Sequence, residues 1–463
     1  TNVGQTEAIP NFIGVLNRSR SNGIVNNVIA GNESSGISLT NAAASGSEST
    51  VHGNHIGVTP AGIQIANQAS GMFVLSSNNS IGGSLPGQGN VVSGNTQHGI
   101  MLQGGTGNVV EGNHIGLTAD DVEMGNGFVG LRVIGSADLV VRSNIISGND
   151  SIGVFVGGAF TTNALFELNM IGTDTEGSVD IGNKGVGFIL NGSPGALIQG
   201  NVISGNDKGG FSSVVGDTNY RFISNMIGTD HTGTRRLNNS NHGMFVFSNK
   251  NQIGEAGAGN IFSDGNLGLV VGAGSENTIA HNIFGTDSQQ RYDLGMNYGI
   301  YFFQGGSSNV VADNTIHHVL TGIRNTSSGQ DNTFSRNEFY NTSFLGIDNA
   351  APGFQNGANT SGVHMAPPVM LERTLESASV LELTYSVPTD ASRVPATIEF
   401  FIANYNGSGR QYIGMDIFTV DDLGSDKSIT LDVTGIMGLF LNSKIVATAT
   451  DADGNTSEFG LMI

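Results

Sequence analysis

The 463-residue sequence contains no cysteine, which removes disulfides, thiolate metal sites and thiol nucleophiles together. Charged residues are scarce at 12 %, and basic ones scarcer: 18 Lys and Arg stand against 38 Asp and Glu, a net charge of −20 with no basic block anywhere. That balance argues against nucleic acid or an anionic membrane as a partner and favours cations or neutral ligands. No stretch approaches the roughly 18 to 20 consecutive apolar residues of a membrane helix, so no membrane span is expected. The opening TNVGQTEAIP lacks a charged-then-apolar leader. Because a repeat unit is under way by residue 22 (SNGIVNNVIAGNESSGISL), the N-terminus reads as a mature or trimmed end. Prolines number 9 against 70 glycines without a Gly-x-y period, which excludes collagen, and 38 % apolar residues suffice for a core.

What the sequence does have is a period. The glycine that opens each short apolar run recurs at Gly36, Gly71, Gly99, Gly130, Gly153, Gly187, Gly210, Gly243, Gly268, Gly299, Gly322 and Gly346. From Gly99 to Gly322 long and short steps alternate, so Gly130, Gly187, Gly243 and Gly299 fall 57, 56 and 56 residues apart. Runs such as GIML, GVFV and GFIL are too short for helices and suit strands. Between them lie SGN, EGN and GTD, whose Gly and Asn accept the backbone conformations of sharp corners. A coil of three brief strands and three corners follows, and stacked coils bury a continuous apolar column. Asn113, Asn144, Asn169, Asn201, Asn225, Asn282, Asn314 and Asn337 form a second column, read as a ladder of stacked amides.

The frame repeats as NMIGTD at 169 and 225 and as NIFGTD at 282. With its GN corners and GI runs, the chain over roughly residues 12 to 350 resembles the right-handed parallel β-helices of the pectate-lyase-like superfamily, and more narrowly the "IGTD…GN…GI" repeat proteins of bacterial surfaces and secretions. The resemblance implies an all-β solenoid of about a dozen rungs and an extracellular or cell-surface location. It leaves function open, because this fold hosts lyases, hydrolases, epimerases, adhesins and phage spikes.

Each long rung carries about 8 to 11 extra residues after its Ile-Gly or Phe-Gly corner, which predicts a ribbon of loops on alternate rungs, about 9.6 Å apart. The candidate glycan-binding residues on it are Asp120, Asp121, Glu123, Asp174, Glu176, Asp180, Tyr292 and Asp293. Carboxylates accept sugar hydroxyls and an aromatic ring covers an apolar sugar face. A uronate lyase needs a cation for the substrate carboxylate and a base for the α-proton. Asp230, His231, Arg235, Arg236, Asp287 and Arg291 are the candidate catalytic set. The Asp of GTD also has a structural reading, as an acceptor for its own turn. The motif sets of polygalacturonases and alginate epimerases are missing. The histidines make no metal set: His55 and His114 occupy the same place in GNHIG, 59 residues apart, and read as exposed strand residues about 10 Å apart in the stack.

After residue 350 the period stops. A linker at 351–368 leads to alternating strands over 369–463, the pattern of a small antiparallel β-sandwich, whose ending ATATDADGNTSEF resembles Ig-like modules of surface β-helix proteins. Asp451, Asp453, Asn455 and Glu458 are candidate calcium ligands, with an Asp-Gly hairpin turn as the plainer reading; no cofactor is required. Three functions stay open: an adhesin or carbohydrate-binding protein gripping polysaccharide through the loops, a polysaccharide lyase or glycoside hydrolase, or a structural subunit that self-associates as a trimer or head-to-tail polymer in a filament, matrix or phage spike.

Overall fold

The computed structural model describes residues 10–40, 48–158, 160–263, 265–326, 329–349, 365–461 and 463; most of the expected linker lies outside the described residues. Strands dominate: three parallel sheets hold 13, 12 and 12 strands, and each sheet takes every third strand of the chain. The first sheet runs from Val15–Asn17 to Ile347–Asp348, the second from Gly23–Val25 to Thr333–Ser335, the third from Val28–Ile29 to Glu338–Tyr340. One strand from each sheet makes a rung, so the coil of three strands and three corners stands. The chain divides into two compact units, residues 1–251 and 252–463.

Each rung in the first unit sends alternate side chains inward at fixed register. Ile56, Val92, Ile115, Ile146, Ile171, Ile203 and Ile227 stack in the third sheet, and Val51, Ile81, Val110, Val141, Phe166, Ile198 and Phe222 in the second, all fully buried. Where the column turns aromatic, the rings pack edge to face or tilted, Phe166 to Phe188 at 4.8 Å and Phe211 to Phe222 at 4.8 Å.

The periodic glycines mark where rungs touch. A Cβ on Gly99 would lie 2.6 Å from Gly130 O, 2.7 Å from Ile115 Cγ2 and 2.9 Å from Asn126 Nδ2, so no larger residue fits beneath the next rung. The glycine of IGTD answers a different need: Gly172 has φ +95°, and a Cβ there would meet Ser204 O at 2.1 Å.

Corners bury backbone polar groups, and asparagine ladders satisfy them. Asn54, Asn90, Asn113, Asn144, Asn169, Asn201 and Asn225 each accept on Oδ1 from the Nδ2 of the asparagine one rung before, at 2.8 to 3.0 Å. Asn113 Nδ2 also donates to Ile81 O at 2.9 Å, and its Oδ1 also accepts from Asn90 N at 3.0 Å. A second ladder, Asn32, Asn67, Asn95, Asn126, Asn149, Asn183, Asn206 and Asn239, runs along the corner between the third and first sheets. In the second unit, Asn260, Asn282, Asn314 and Asn337 repeat the first pattern, and Asn277, Asn309 and Asn332 line another corner.

Also in the second unit, two three-stranded antiparallel sheets share one core, with Leu381, Leu383 and Tyr385 from one sheet against Ile398, Phe400 and Ile445 from the other. They cover the final rung. Asn455 Oδ1 accepts from Asp331 N at 2.8 Å, Thr456 Oγ1 from Phe334 N at 2.9 Å, Ser408 Oγ from Gly346 N at 2.7 Å, Glu399 Oε2 from Arg336 N at 2.9 Å and Glu458 Oε1 from Asn349 N at 2.9 Å. These N–H groups belong to the last strands and their flanks, which have no following rung to donate to.

Two outcomes are expected. Asn149→Ala would remove the bonds it accepts from Asn126 N and Asn126 Nδ2 and the bond it donates to Ile115 O; at ~1 kcal/mol per lost hydrogen bond, the loss is about 3 kcal/mol, read as a lower denaturant midpoint. Burial, opposed by the Asn349 bond and reinforced by Asp348, pushes the Glu458 carboxyl up to about 7 from 4.5. A raised carboxyl favours the folded state while protonated, so its contribution is complete below pH 4.5 and fades as pH rises through about 7. Melting temperatures between these limits should fall with pH, and the fall should be shallower in Glu458→Gln.

Candidate functional site

Loops leave the third sheet on alternate rungs. In the first unit they close as small antiparallel turns, bridging Leu117 to Glu123, Thr173 to Asp180 and Thr229 to Arg236. The serine of each SGN corner anchors the next loop: Ser93 Oγ donates to Leu117 O at 2.6 Å, Ser147 Oγ to Thr173 O at 2.7 Å and Ser204 Oγ to Thr229 O at 2.7 Å. Successive loops touch. His231 N donates to Gly177 O at 2.8 Å, Thr175 Oγ1 donates to Asp121 Oδ2, and the Arg235 guanidinium donates to Ser178 O.

The GTD aspartates bind their own turns. Asp174 accepts from Ser178 N at 2.6 Å and Val179 N at 2.9 Å; Asp230 accepts from Thr234 N at 2.9 Å, Arg235 N at 3.2 Å and Thr232 Oγ1 at 2.9 Å. In the second unit Asp287 accepts from Arg291 N at 2.6 Å and Tyr292 N at 3.2 Å, and Oδ2 takes both Nε and Nη2 of Arg291 at 3.2 and 3.1 Å. Burial raises the Asp287 carboxyl, but the Arg291 and Tyr292 bonds outweigh it and hold it below the ordinary carboxylate value. Arg291 also lies 5.4 Å from the centroid of the exposed Tyr292 ring, and Asp293 accepts from Gly295 N at 2.9 Å.

Of the remaining loop residues, Asp121, Glu123 and Asp180 meet in one open cleft of about 550 Å³, with Lys184 and Asp207. Burial and the neighbouring Asp207 push the Asp180 carboxyl up, opposed by its bond from Gly182 N. Asp120 lines a separate cleft of about 270 Å³ with His55, Thr118 and Val122. His55 and His114 both pair in register with Val91, two rungs apart as expected, but they are half-buried rather than exposed because this cleft and its neighbour wall them in. Glu176, His231 and Arg236 are exposed; Arg236 shares its turn with Thr229.

The four C-terminal candidates do not converge. Asp451 Oδ1 accepts from Asn455 N at 2.9 Å, Asn455 Oδ1 turns to Asp331, Glu458 turns to Asn349, and Asp453 is exposed. Among the described residues no group of three or more His, Cys, Asp or Glu side chains is placed to hold a metal ion.

Sequence reasoning passed over the outward face of the first sheet. In the first unit Phe73, Met101, Arg132, Phe155, Ile189, Ser212 and Phe245 stand in register on consecutive strands, all half-buried. The Arg132 guanidinium sits 5.8 Å from the centroid of the Phe155 ring, and Phe245 stacks on Phe247 at 4.7 Å. His242, pushed down to about 4 by burial, packs edge-on against Phe245 and reaches Ser212 Oγ at 3.3 Å. In the second unit the same sheet carries Tyr298 and Tyr301, with Phe303 just past the strand end and Arg324 donating to Tyr298 OH at 2.9 Å and lying 5.3 and 6.0 Å from the two tyrosine centroids. The apolar runs GLRVI and GVFV read as core; strand alternation turns every second residue outward, and that was the available signal.

If Asp174 chiefly locks its turn, Asp174→Ala should open the loop, lowering stability by about 1–3 kcal/mol for the orphaned N–H groups and creating a proteolytic cut within residues 174–181 that the wild type resists.

Residues 71–227 match the family described as "Right handed beta helix region". No curated protein matches the chain. Similar solved structures include the Dettilon tailspike protein (14 % identity, TM-score 0.41, covering 94 % of this chain and 85 % of that one). They also include the A-module of mannuronan C-5 epimerase AlgE4 from Azotobacter vinelandii (13 %, 0.37, 71 % and 88 %) and PfbA, a surface adhesin of Streptococcus pneumoniae (13 %, 0.35, 81 % and 79 %). Likenesses this distant say nothing of what the present chain binds or does. The family match and the three parallel ladders make this chain a right-handed parallel β-helix protein.

Proposed function

We propose that the protein is an extracellular or surface carbohydrate-binding protein, and that it engages an anionic polysaccharide through the outward face of the first sheet. One observation carries the reading: Arg132 and Arg324 lie over aromatic rings on this face and make no ion pair with a carboxylate among the described residues, in a chain of net charge −20. Other arginines are ion-paired, Arg142 to Glu111, Arg291 to Asp287 and Arg336 to Asp313. A guanidinium held against a ring keeps a fixed fork of donors for a carboxylate, sulfate or phosphate, while neighbouring rings offer apolar faces to sugar rings. Within each unit parallel strands repeat such a surface from rung to rung, which suits a linear polymer.

Guanidiniums held against rings along parallel strands form a surface that can grip a chain, so binding is the function this surface supports best. The test is retention of acidic and neutral polysaccharides by the full chain. Arg132→Ala and Phe155→Ala should each weaken binding of an acidic glycan about tenfold, close to the ~1–2 kcal/mol of one charge-assisted or cation–π contact. Asp230→Ala should bind like the wild type. Loss in Asp230→Ala with Arg132→Ala unaffected would move the site to the loop ribbon, and release of reducing ends or unsaturated uronates would replace binding by catalysis.

A further inference from the structure

Three strongly exposed apolar side chains sit within five residues of each other, in the loop between strands Lys427–Asp432 and Ile445–Thr450: Met437, Phe440 and Leu441, at 83, 69 and 75 % exposure. Single exposed hydrophobes are ordinary, but a cluster at one loop tip calls for a partner. This loop is built from within. Arg373 donates Nη1 to Leu441 O at 2.7 Å and Nη2 to Phe440 O at 3.1 Å. Ser443 Oγ accepts from Phe440 N at 2.8 Å, Ser443 N donates to Phe440 O at 2.9 Å, and Gly438 O accepts from Arg410 Nη2 at 3.4 Å and Ser443 Oγ at 3.3 Å. The backbone behind the three side chains thus brings its own hydrogen-bond partners, as a segment leaving water requires.

Charge is segregated in the same place. Residues 435–444, GIMGLFLNSK, contain no Asp or Glu although the chain carries a net −20, and the cations Arg373, Arg410 and Lys444 bond to the loop or end it. A side chain exposed over two thirds of its surface projects, so its partner must close around it. A fluid acyl layer closes around any shape; a protein partner needs a groove cut to fit.

We propose that this loop inserts into the interfacial layer of a lipid bilayer, with Met437, Phe440 and Leu441 entering the acyl boundary and Arg373, Arg410 and Lys444 held at headgroup level. Apolar insertion rather than net charge then drives the attachment.

The full chain is tested by co-sedimentation with phosphatidylcholine vesicles and with vesicles also containing phosphatidylglycerol. The wild type should sediment with both, and the double variant Phe440→Asp, Leu441→Asp should lose at least tenfold in bound fraction while melting as the wild type does. Because the sequence has no tryptophan, Phe440→Trp places a single reporter at the tip; its emission should shift to the blue on vesicles and be quenched by brominated acyl chains. Absence of co-sedimentation, equal binding by the double-Asp variant, or an unmoved Trp emission overturns the proposal. Self-association that the double-Asp variant abolishes, without vesicle binding, overturns it too and assigns the loop to a second copy.

Discussion

The structure depends on one constraint: rungs stack at strand spacing, so every corner must bury backbone polar groups where there is no water to satisfy them. A corner side chain must therefore be short and carry both a donor and an acceptor, and asparagine does this while passing the same bond to the next rung. Asn113 shows the whole solution, donating to Ile81 O, Glu111 O and Asn144 Oδ1 and accepting from Asn90. The glycine column follows from the ladder, because at Gly99 and Gly130 the ladder amides and the next glycine's carbonyl already occupy the space a Cβ would need. Short strands follow as well, since three corners per rung leave only two to four residues between them in most rungs.

This constraint decides where specificity can reside. Inward positions belong to the core and corner positions to the ladders, which leaves loops and outward strand positions. The loops are less free than their variable sequences imply. Their aspartates hold their own turns, their bases hang from the SGN serines, and His231 and Arg235 reach back to the preceding loop. Outward strand positions carry no such duty. Phe73, Phe155 and Phe245 could be polar on a solvent-facing sheet without harm to the core, so their aromatic character needs a cause other than folding.

The fold was legible because its requirements recur. Twelve recurring glycines and eight asparagines in one context could be read without knowing any contact, and the rungs fall on them. The second asparagine ladder escaped because its members sit in unlike contexts, SGN at Asn95 and Asn149 but IGN at Asn183 and MGN at Asn126, so position rather than motif unites them. The candidate site was less legible for the opposite reason. Arg132 and Phe155 lie inside runs whose neighbours are core, and only the two-residue alternation, applied strand by strand, separates Arg132 outside from Leu131 and Val133 inside. Nor does spacing show that Asn455 and Glu458 turn to the last rung instead of to one ion.

The two ways of satisfying buried polar groups differ in chemistry, and the difference separates the body of the solenoid from its final rung. Ladder amides do not titrate, so the corner bonds that pass from rung to rung are indifferent to pH. At the last rung no further asparagine follows, and the antiparallel module supplies the missing acceptors partly as carboxyls, Glu399 beneath Ser335 and Arg336 and Glu458 beneath Asn349. Burial raises both carboxyls, against the pull of the N–H groups they receive. An amide at either position would accept the same bonds without the cost of a buried charge. The final rung is therefore bound to its cover partly by contacts whose strength depends on protonation, whereas the ladder bonds of the other rungs do not.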